Sequence, residues 1–291
     1  KVGEKVPLYE LMKGLMIVSG KDASIAIAKH ISKDVNTFVQ RMNAKAKELG
    51  MTNTTFVNPN GLPIYDLQNP KAFPKENIST ARDIAKLGKY MFDNYEKEVV
   101  AITDMQIYSY PERGFQKNNT NALLGIIPAV DGIKTGYTGN AGYCLAFSMV
   151  VDKDKDNEIR HRMIGVVLGA NHKEKRTSAS LSILRYGKDN FSTKKVMEKD
   201  QLIGKKYIKG LEELEVTLKS EDELYATLKN TENLKSQITL KELKYPVKKG
   251  DTIGVIKYFT ETGQVIGSVD IISANDVDNI SFISKIKMIF T

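Results

Sequence analysis

The sequence predicts an α/β (α+β) domain over residues 1–191 followed by a small all-β domain over residues 192–291. Three observations carry this division. Apolar residues recur at helical spacing through the first fifty positions, two long apolar runs then flank a charged tip, and the helical period vanishes from about Ser192 onward. With 291 residues, 41% of them hydrophobic, the chain is long enough to fill one large core and a smaller one.

The elements follow in order. "LYELMKGLMIV" (8–18) puts Leu8, Leu11, Met12, Leu15 and Met16 on one helical face, and Ser19-Gly20 breaks the pattern. A second helix is expected to start after Lys21-Asp22 and to carry "ASIAIAKHI". "NTFVQRMNAKAKELG" turns Phe38, Val39, Met42, Ala46 and Leu49 inward, and Gly50 suits the C-terminal stop. From Asn58, Pro59, Pro63, Pro70 and Pro74 break "NPNGLPIYDLQNPKAFPKEN" into a long surface loop, the kind of segment on which function concentrates. Thr80-x-x-Asp83 has the form of a capping box and opens a helix that buries Ile84, Leu87, Met91 and Phe92.

"YCLAFSMVV" and "HRMIGVVLGA" flank "DKDKDNE", which predicts a hairpin of two largely buried strands at the centre of a sheet. "KRTSASLSILRYGKDNF" reads as a further helix with Ala179, Ile183, Leu184 and Tyr186 partly inward. After Ser192, "LEVTL", "LYATL", "QITLKEL", "TIGVIKYF" and "QVIGSVDII" run between Lys, Asn and Gly turns, the texture of a separate β domain. The final "NISFISKIKMIF" sets Ile280, Ile283, Ile286 and Met288 to Phe290 against Lys285 and Lys287. It fits an interfacial membrane helix, or a last strand or frayed tail, equally well.

No stretch approaches the roughly 20 apolar residues of a membrane span, and the first residues lack a signal-peptide pattern, so any export signal is expected to have been removed or never included. The net charge of +8 is spread over scattered lysines and points to a polyanionic envelope more than to nucleic acid, which stays a weak alternative; no nucleic-acid partner is expected. Cys144 stands alone, which excludes an intrachain disulfide and predicts a small buried strand residue. His30, His161 and His172 have no ligand spacing, so no metal and no cofactor are expected.

One stretch carries chemistry. In "DGIKTGYTGNAGYCLAF" (131–147), Lys134 and Thr135 offer directed donors at the start of a strand, and Gly136 leaves room for a peptide to lie along its edge. That arrangement suits a carboxylate beside a reacting carbonyl. Upstream, "SGKDA" from Ser19 places a hydroxyl between two helices.

"GEKVPLYELMKGLMIVSGKDASIAIAKHI", "LGMTNTTFVNPNGL", "STARDIAKLGKYM" and "VDGIKTGYTGNAGYCLAFSM" resemble consecutive blocks of the low-molecular-mass penicillin-binding proteins, the serine D-alanyl-D-alanine carboxypeptidases of peptidase S11 type. The part after Ser192 is similar to the small C-terminal domain many of them carry. The resemblance implies a penicillin-binding-protein/β-lactamase-like transpeptidase fold over 1–191, N-terminally incomplete. Of the superfamily signatures S-x-x-K, S-D-N (often S-x-N) and K-T-G, the last is Lys134-Thr135-Gly136 and the second is represented by Ser19, Gly20 and Lys21.

The implied activity is removal of the terminal D-alanine from peptidoglycan stem peptides through a serine acyl-enzyme, on the outer face of the cytoplasmic membrane. β-Lactams are expected to acylate the same serine. By the same resemblance Ser19 and Lys21 are the catalytic candidates, with Ser19 relaying a proton to the leaving amine. Lys134, Thr135, Gly136, Tyr137, Gly61 and Arg176 are the substrate-binding candidates; for Arg176 a solvated helix-start arginine is the blander alternative. Asn119 and Asn121 read equally well as turn residues.

Two departures stand out. Lys21 takes the place of the usual asparagine, so a donor-only cation replaces an amide. The S-x-x-K nucleophile is expected to lie outside this chain, because the two matches, "STKK" at Ser192 and "SKIK" at Ser284, fall in or at the border of the β part. The competing expectation is a non-catalytic envelope protein of the same fold that binds peptidoglycan or a partner. A β-lactamase is disfavoured by the appended β segment and by Ser-Gly-Lys in the second motif.

Overall fold

The structure, a computed structural model, describes residues 3–154, 158–208 and 211–278. The chain divides into two compact units, residues 1–151 with 161–187, and residues 152–160 with 188–291.

The first unit opens with three helices, α1 (Leu8–Val18), α2 (Lys21–Ser32) and α3 (Val35–Glu48), and continues with the long α4 (Ala81–Thr103). Side chains set these boundaries. Asp34 caps α3 by accepting the Thr37 amide at 2.9 Å, and Gly50, at φ +66°, lets the chain leave it. Thr80 caps α4 by accepting the Asp83 amide at 3.2 Å. The buried Asp83 carboxylate does not return to Thr80. It accepts the Asn53 amide and the Thr54 hydroxyl, both at 2.9 Å, and fastens the preceding turn to α4.

The strands β1 (Ile107–Tyr110) and β2 (Phe115–Asn118) form a hairpin, and β3 (Val130–Thr138), β4 (Gly142–Val151) and β5 (His161–Ala170) form an antiparallel sheet with β4 in the middle. The expected hairpin of two apolar runs is therefore β4–β5, and among the described residues only β4 has a strand on both sides. The core gathers Leu123, Val130, Leu145, Phe147, Val167 and, from α5 (Lys173–Asn190), Leu184. Complete burial of Phe147 and Leu145 is worth about 1.5–3 kcal/mol each.

Several expectations need correction. α2 begins at Lys21 itself, because Gly20 serves as its N-cap. On α1 the buried residue is Ile17, packed with Ile102 and Tyr108, while Leu8 and Met12 are exposed. On α5 the inward positions are Arg176, Ser180 and Leu184, one per turn, and Ile183 and Tyr186 face out. Cys144 is half-buried, not buried.

The second unit contains β6 (Phe191–Met197), β7 (Leu202–Ile208), β8 (Leu211–Ser220), β9 (Leu224–Lys229), β10 (Leu234–Leu240), β11 (Thr252–Thr260) and β12 (Val265–Ser273). They make a five-stranded antiparallel sheet in the order β10-β11-β12-β8-β7 and a separate β6–β9 pair. Val216, Leu218, Ile256, Val269 and Ile271 lie in its core. The terminal segment 279–291, expected as an amphipathic helix or strand, lies outside the described residues.

Candidate active site

α1 ends at Ser19, which takes the left-handed conformation (φ 63°, ψ 40°) while its amide bonds back to Leu15 O at 3.1 Å. Such backbone is uncommon away from glycine and tends to persist where a site requires it. Here it accompanies a long-range contact: Lys134 Nζ, on β3, donates to Ser19 Oγ. The Lys134 ammonium also donates to its neighbour's carbonyl, Thr135 O, at 3.1 Å.

Thr135 extends the same lacing. Its hydroxyl donates to Thr120 Oγ1 at 2.7 Å, and the Thr120 amide donates to Ile17 O at 3.1 Å. The end of α1, the segment at Thr120 and β3 thus meet at one corner. Asn121 secures β3 from below by donating from Nδ2 to Gly132 O at 2.9 Å, and Thr103 donates to Asp131 O at 2.6 Å. The Asp131 carboxylate accepts Arg162 Nη1 at 2.6 and 2.7 Å and the Ser148 hydroxyl at 2.5 Å. Arg162 lies over the Phe92 ring, 3.9 Å from its centroid, and reaches Glu96 at 2.7 Å. Lys134 and Thr135 therefore project from a strand whose first residues are held on several sides.

A cleft of about 770 Å³ opens beside this corner, lined by Ser19, Lys21, Thr120, Thr135, Gly136, Tyr137, Tyr143 and, from α5, Lys173, Glu174 and Arg176. The edge of β3 away from β4 has no strand partner among the described residues, so its backbone is open to an extended peptide. The Tyr137 and Tyr143 rings pack against each other at a 36° tilt, centroids 4.4 Å apart, and Tyr137 stays 58% exposed.

The loop after Asn58 is tied to residues at the cleft without lining it. Lys21 Nζ donates to Asn60 O at 2.8 Å on one side, and Asn140, in the β3–β4 turn, donates to Glu76 Oε2 at 2.6 Å on the other. The loop is braced internally by Asn58, which accepts the Gly61 amide at 2.7 Å and donates to Leu62 O at 2.6 Å.

Cations outnumber carboxylates in the cleft. Lys134 is pushed down to about 8, first by burial and then by repulsion from Lys21 and Arg176. Burial also lowers Lys21. Arg176 is 6% exposed and is lowered by burial, against the pull of Cys144, Tyr143 and Glu174; its Nε has no partner among the described residues. Such a group favours an anion that completes its hydrogen bonds.

Of the candidates taken from the sequence, Ser19, Lys21, Lys134, Thr135, Gly136, Tyr137 and Arg176 meet at this cleft. Gly61 is not among the lining residues; its neighbour Asn60 makes the contact, through a carbonyl. Sequence reasoning does not single out Thr120, and Asn121 reads equally well as a turn residue. The sequence held one signal for both, the run Asn118 to Asn121 of turn-forming polar residues just before the strand.

Residues 1–172 match the D-alanyl-D-alanine carboxypeptidase family, and residues 191–279 match the C-terminal domain of penicillin-binding protein 5. The chain is 31% identical to the D-alanyl-D-alanine carboxypeptidase DacF of Bacillus subtilis over 291 residues, covering 98% of the chain and 70% of that protein. It is 32% identical to DacC of Escherichia coli, covering 98% and 68%. The crystal structure of penicillin-binding protein 5 from Haemophilus influenzae superposes with a TM-score of 0.70 at 30% identity, over 95% of this chain and 76% of that one. Penicillin-binding protein D2 from Listeria monocytogenes, in its cefotaxime-bound form, gives 0.52 at 29% identity over 62% and 66%.

Proposed function

Because the chain belongs to the D-alanyl-D-alanine carboxypeptidase family of cell-wall maturation, we propose that it forms most of an envelope enzyme that trims the terminal D-alanine from peptidoglycan stem peptides. The catalytic part is residues 1–191, with the β segment 192–291 appended, and the serine nucleophile belongs to a segment outside these residues. The single observation that supports this most is the hydrogen bond from Lys134 Nζ to Ser19 Oγ, which joins residues 115 positions apart at the mouth of an electropositive cleft.

In this reading the terminal carboxylate of the peptide sits against Lys134, Thr135 and Arg176, with the peptide laid along β3 past Gly136 and Tyr137. The nucleophilic serine, its hydroxyl proton taken by the lysine of the same S-x-x-K signature, attacks the carbonyl of the D-Ala-D-Ala bond through Oγ. The C–N bond breaks as Ser19, in contact with Lys134, passes a proton to the departing amine, and water then releases the acyl group from the serine. A β-lactam presents the same carboxylate and an acylating carbonyl to these groups. Contact with the membrane surface through the C-terminal segment is part of the same proposal.

Ser192 is a poor nucleophile candidate: it is buried in β6, and Lys195, three residues on, is engaged by Glu198 at 2.9 Å and Glu223 at 3.0 Å. The test is intact mass after incubation with benzylpenicillin, run on this chain and on a form extended to include the missing signature. One adduct on the extended form alone is expected; an adduct on the 291-residue chain refutes the placement of the nucleophile. Lys21 favours a second reading, a binding protein without turnover, since its ammonium is tied to the Asn60 carbonyl where an amide would face the substrate. Absence of an adduct on both folded forms selects that reading.

A further inference from the structure

The cleft holds three cations that hydrogen-bond no carboxylate among the described residues. Lys134 donates to a hydroxyl and a carbonyl, Lys21 to a carbonyl, and Arg176 keeps a buried Nε without a partner among the described residues. Of the lining residues only Glu174 is acidic, and Lys173 stands beside it. A peptide with a single carboxylate, bound against Lys134 and Arg176, would cover Lys21 while leaving its charge uncompensated, which is unfavourable as the cleft loses water.

We propose that Lys21 is a specificity-determining residue that selects peptides carrying a second carboxylate, on the acyl side of the scissile bond. The inference rests on the reading of the cleft as the D-Ala-D-Ala site. Its geometry comes from two contacts. In that reading Lys134 and Thr135 on β3 take the C-terminal carboxylate, and Lys21, a lining residue of the same cleft, has its ammonium fixed by the bond to Asn60 O; the departing D-alanine carries only the C-terminal carboxylate, so any second one belongs to the acyl part. The Asn60 carbonyl uses one of the three donors of Lys21 and leaves two for a ligand. An asparagine at this position carries no charge to make that selection.

The test is a chemical-shift titration of the 291-residue chain at low ionic strength with acetyl-D-Ala-D-Ala, which has one carboxylate, and succinyl-D-Ala-D-Ala, which has two. The succinyl peptide is expected to bind about tenfold more tightly, the change that one charge-assisted contact supplies. Lys21→Gln should bring the ratio of the two affinities close to one, and Lys21→Arg should keep it, with both variants checked for folding by circular dichroism. Equal binding of the two peptides to the unaltered chain, or a preference that survives Lys21→Gln, overturns the role of Lys21 and leaves the peptide site standing. Binding of neither peptide overturns the site and this inference together.

Discussion

Replacing Asp131 with asparagine tests whether the strand that bears Lys134 and Thr135 is held by the charge pair beneath it. Asp131 and Arg162 are 11% and 13% exposed at their side chains, so water screens the pair poorly. The carboxylate takes two contacts from Arg162, at 2.6 and 2.7 Å, and a third from Ser148. Removing one partner of a buried pair costs about 3–5 kcal/mol, chiefly because the other charge is left behind. Arg162 retains Glu96 at 2.7 Å and the Phe92 ring, which places the expectation near the lower end, about 3 kcal/mol. At roughly 2–4 °C per kcal/mol for a unit of this size, the first unit should melt about 6–12 °C lower. The chain has no tryptophan and 13 tyrosines, so urea unfolding followed by tyrosine fluorescence is a suitable assay. Combining Asp131→Asn with Arg162→Met should be less damaging than the sum of the two by more than about 1 kcal/mol. A loss below about 0.5 kcal/mol for Asp131→Asn, with additive behaviour in the double variant, would refute the reasoning.

Other perturbations address different elements. Thr80→Ala removes the cap of α4 and should reduce stability by about 1 kcal/mol in the same unfolding assay, while Thr80→Ser should not. Gly165→Ala would put a methyl 2.1 Å from the Phe147 ring, which is 1% exposed, and should cost about 1–3 kcal/mol; pairing it with Phe147→Leu should recover part of the loss. Lys134 titrates near 8 in the folded chain against 10.5 for an ordinary lysine, so between those values the unfolded chain binds more protons and stability should rise with pH. Denaturation across pH 8 to 10.5 should show that rise and Lys134→Met should remove it, whereas Lys21→Gln should move the Lys134 titration upward in NMR by lifting a repulsion. Ile271→Ala, at a fully buried position of β12, should cost about 2–5 kcal/mol and affect only the transition of the β unit.

How far the sequence carried the account depended on whether a feature was local. Helix boundaries set by local signals were readable, as with the Thr80 cap and the Gly50 stop, and so were strands with unbroken apolar runs such as β4, whereas the Asp34 cap of α3 was not singled out. The β1–β2 hairpin was missed because its strands are four residues each and Pro111 and Gly114 stand between them. β6 and β7 were missed because lysines interrupt their alternation. On α5 the hydrophobic pattern is weak, and its inward face is set by Arg176 and Ser180 as much as by Leu184, which no apolar periodicity announces. At the cleft, the residue types of Ser19 and Lys134-Thr135-Gly136 pointed to their chemistry. Their partners did not, because the Thr120 hydroxyl, the Asn60 carbonyl and the Asn121 amide act through tertiary contacts.

The measurement that bears most directly on the central claim is D-alanine release from a peptide ending in D-Ala-D-Ala, using the protein extended to carry the proposed nucleophile. Release is expected from the extended protein, none from the 291-residue chain, and a loss of about 100-fold or more on Ser19→Ala and on Lys134→Ala. Release that persists undiminished in both variants, or that the 291-residue chain performs unaided, would contradict the account.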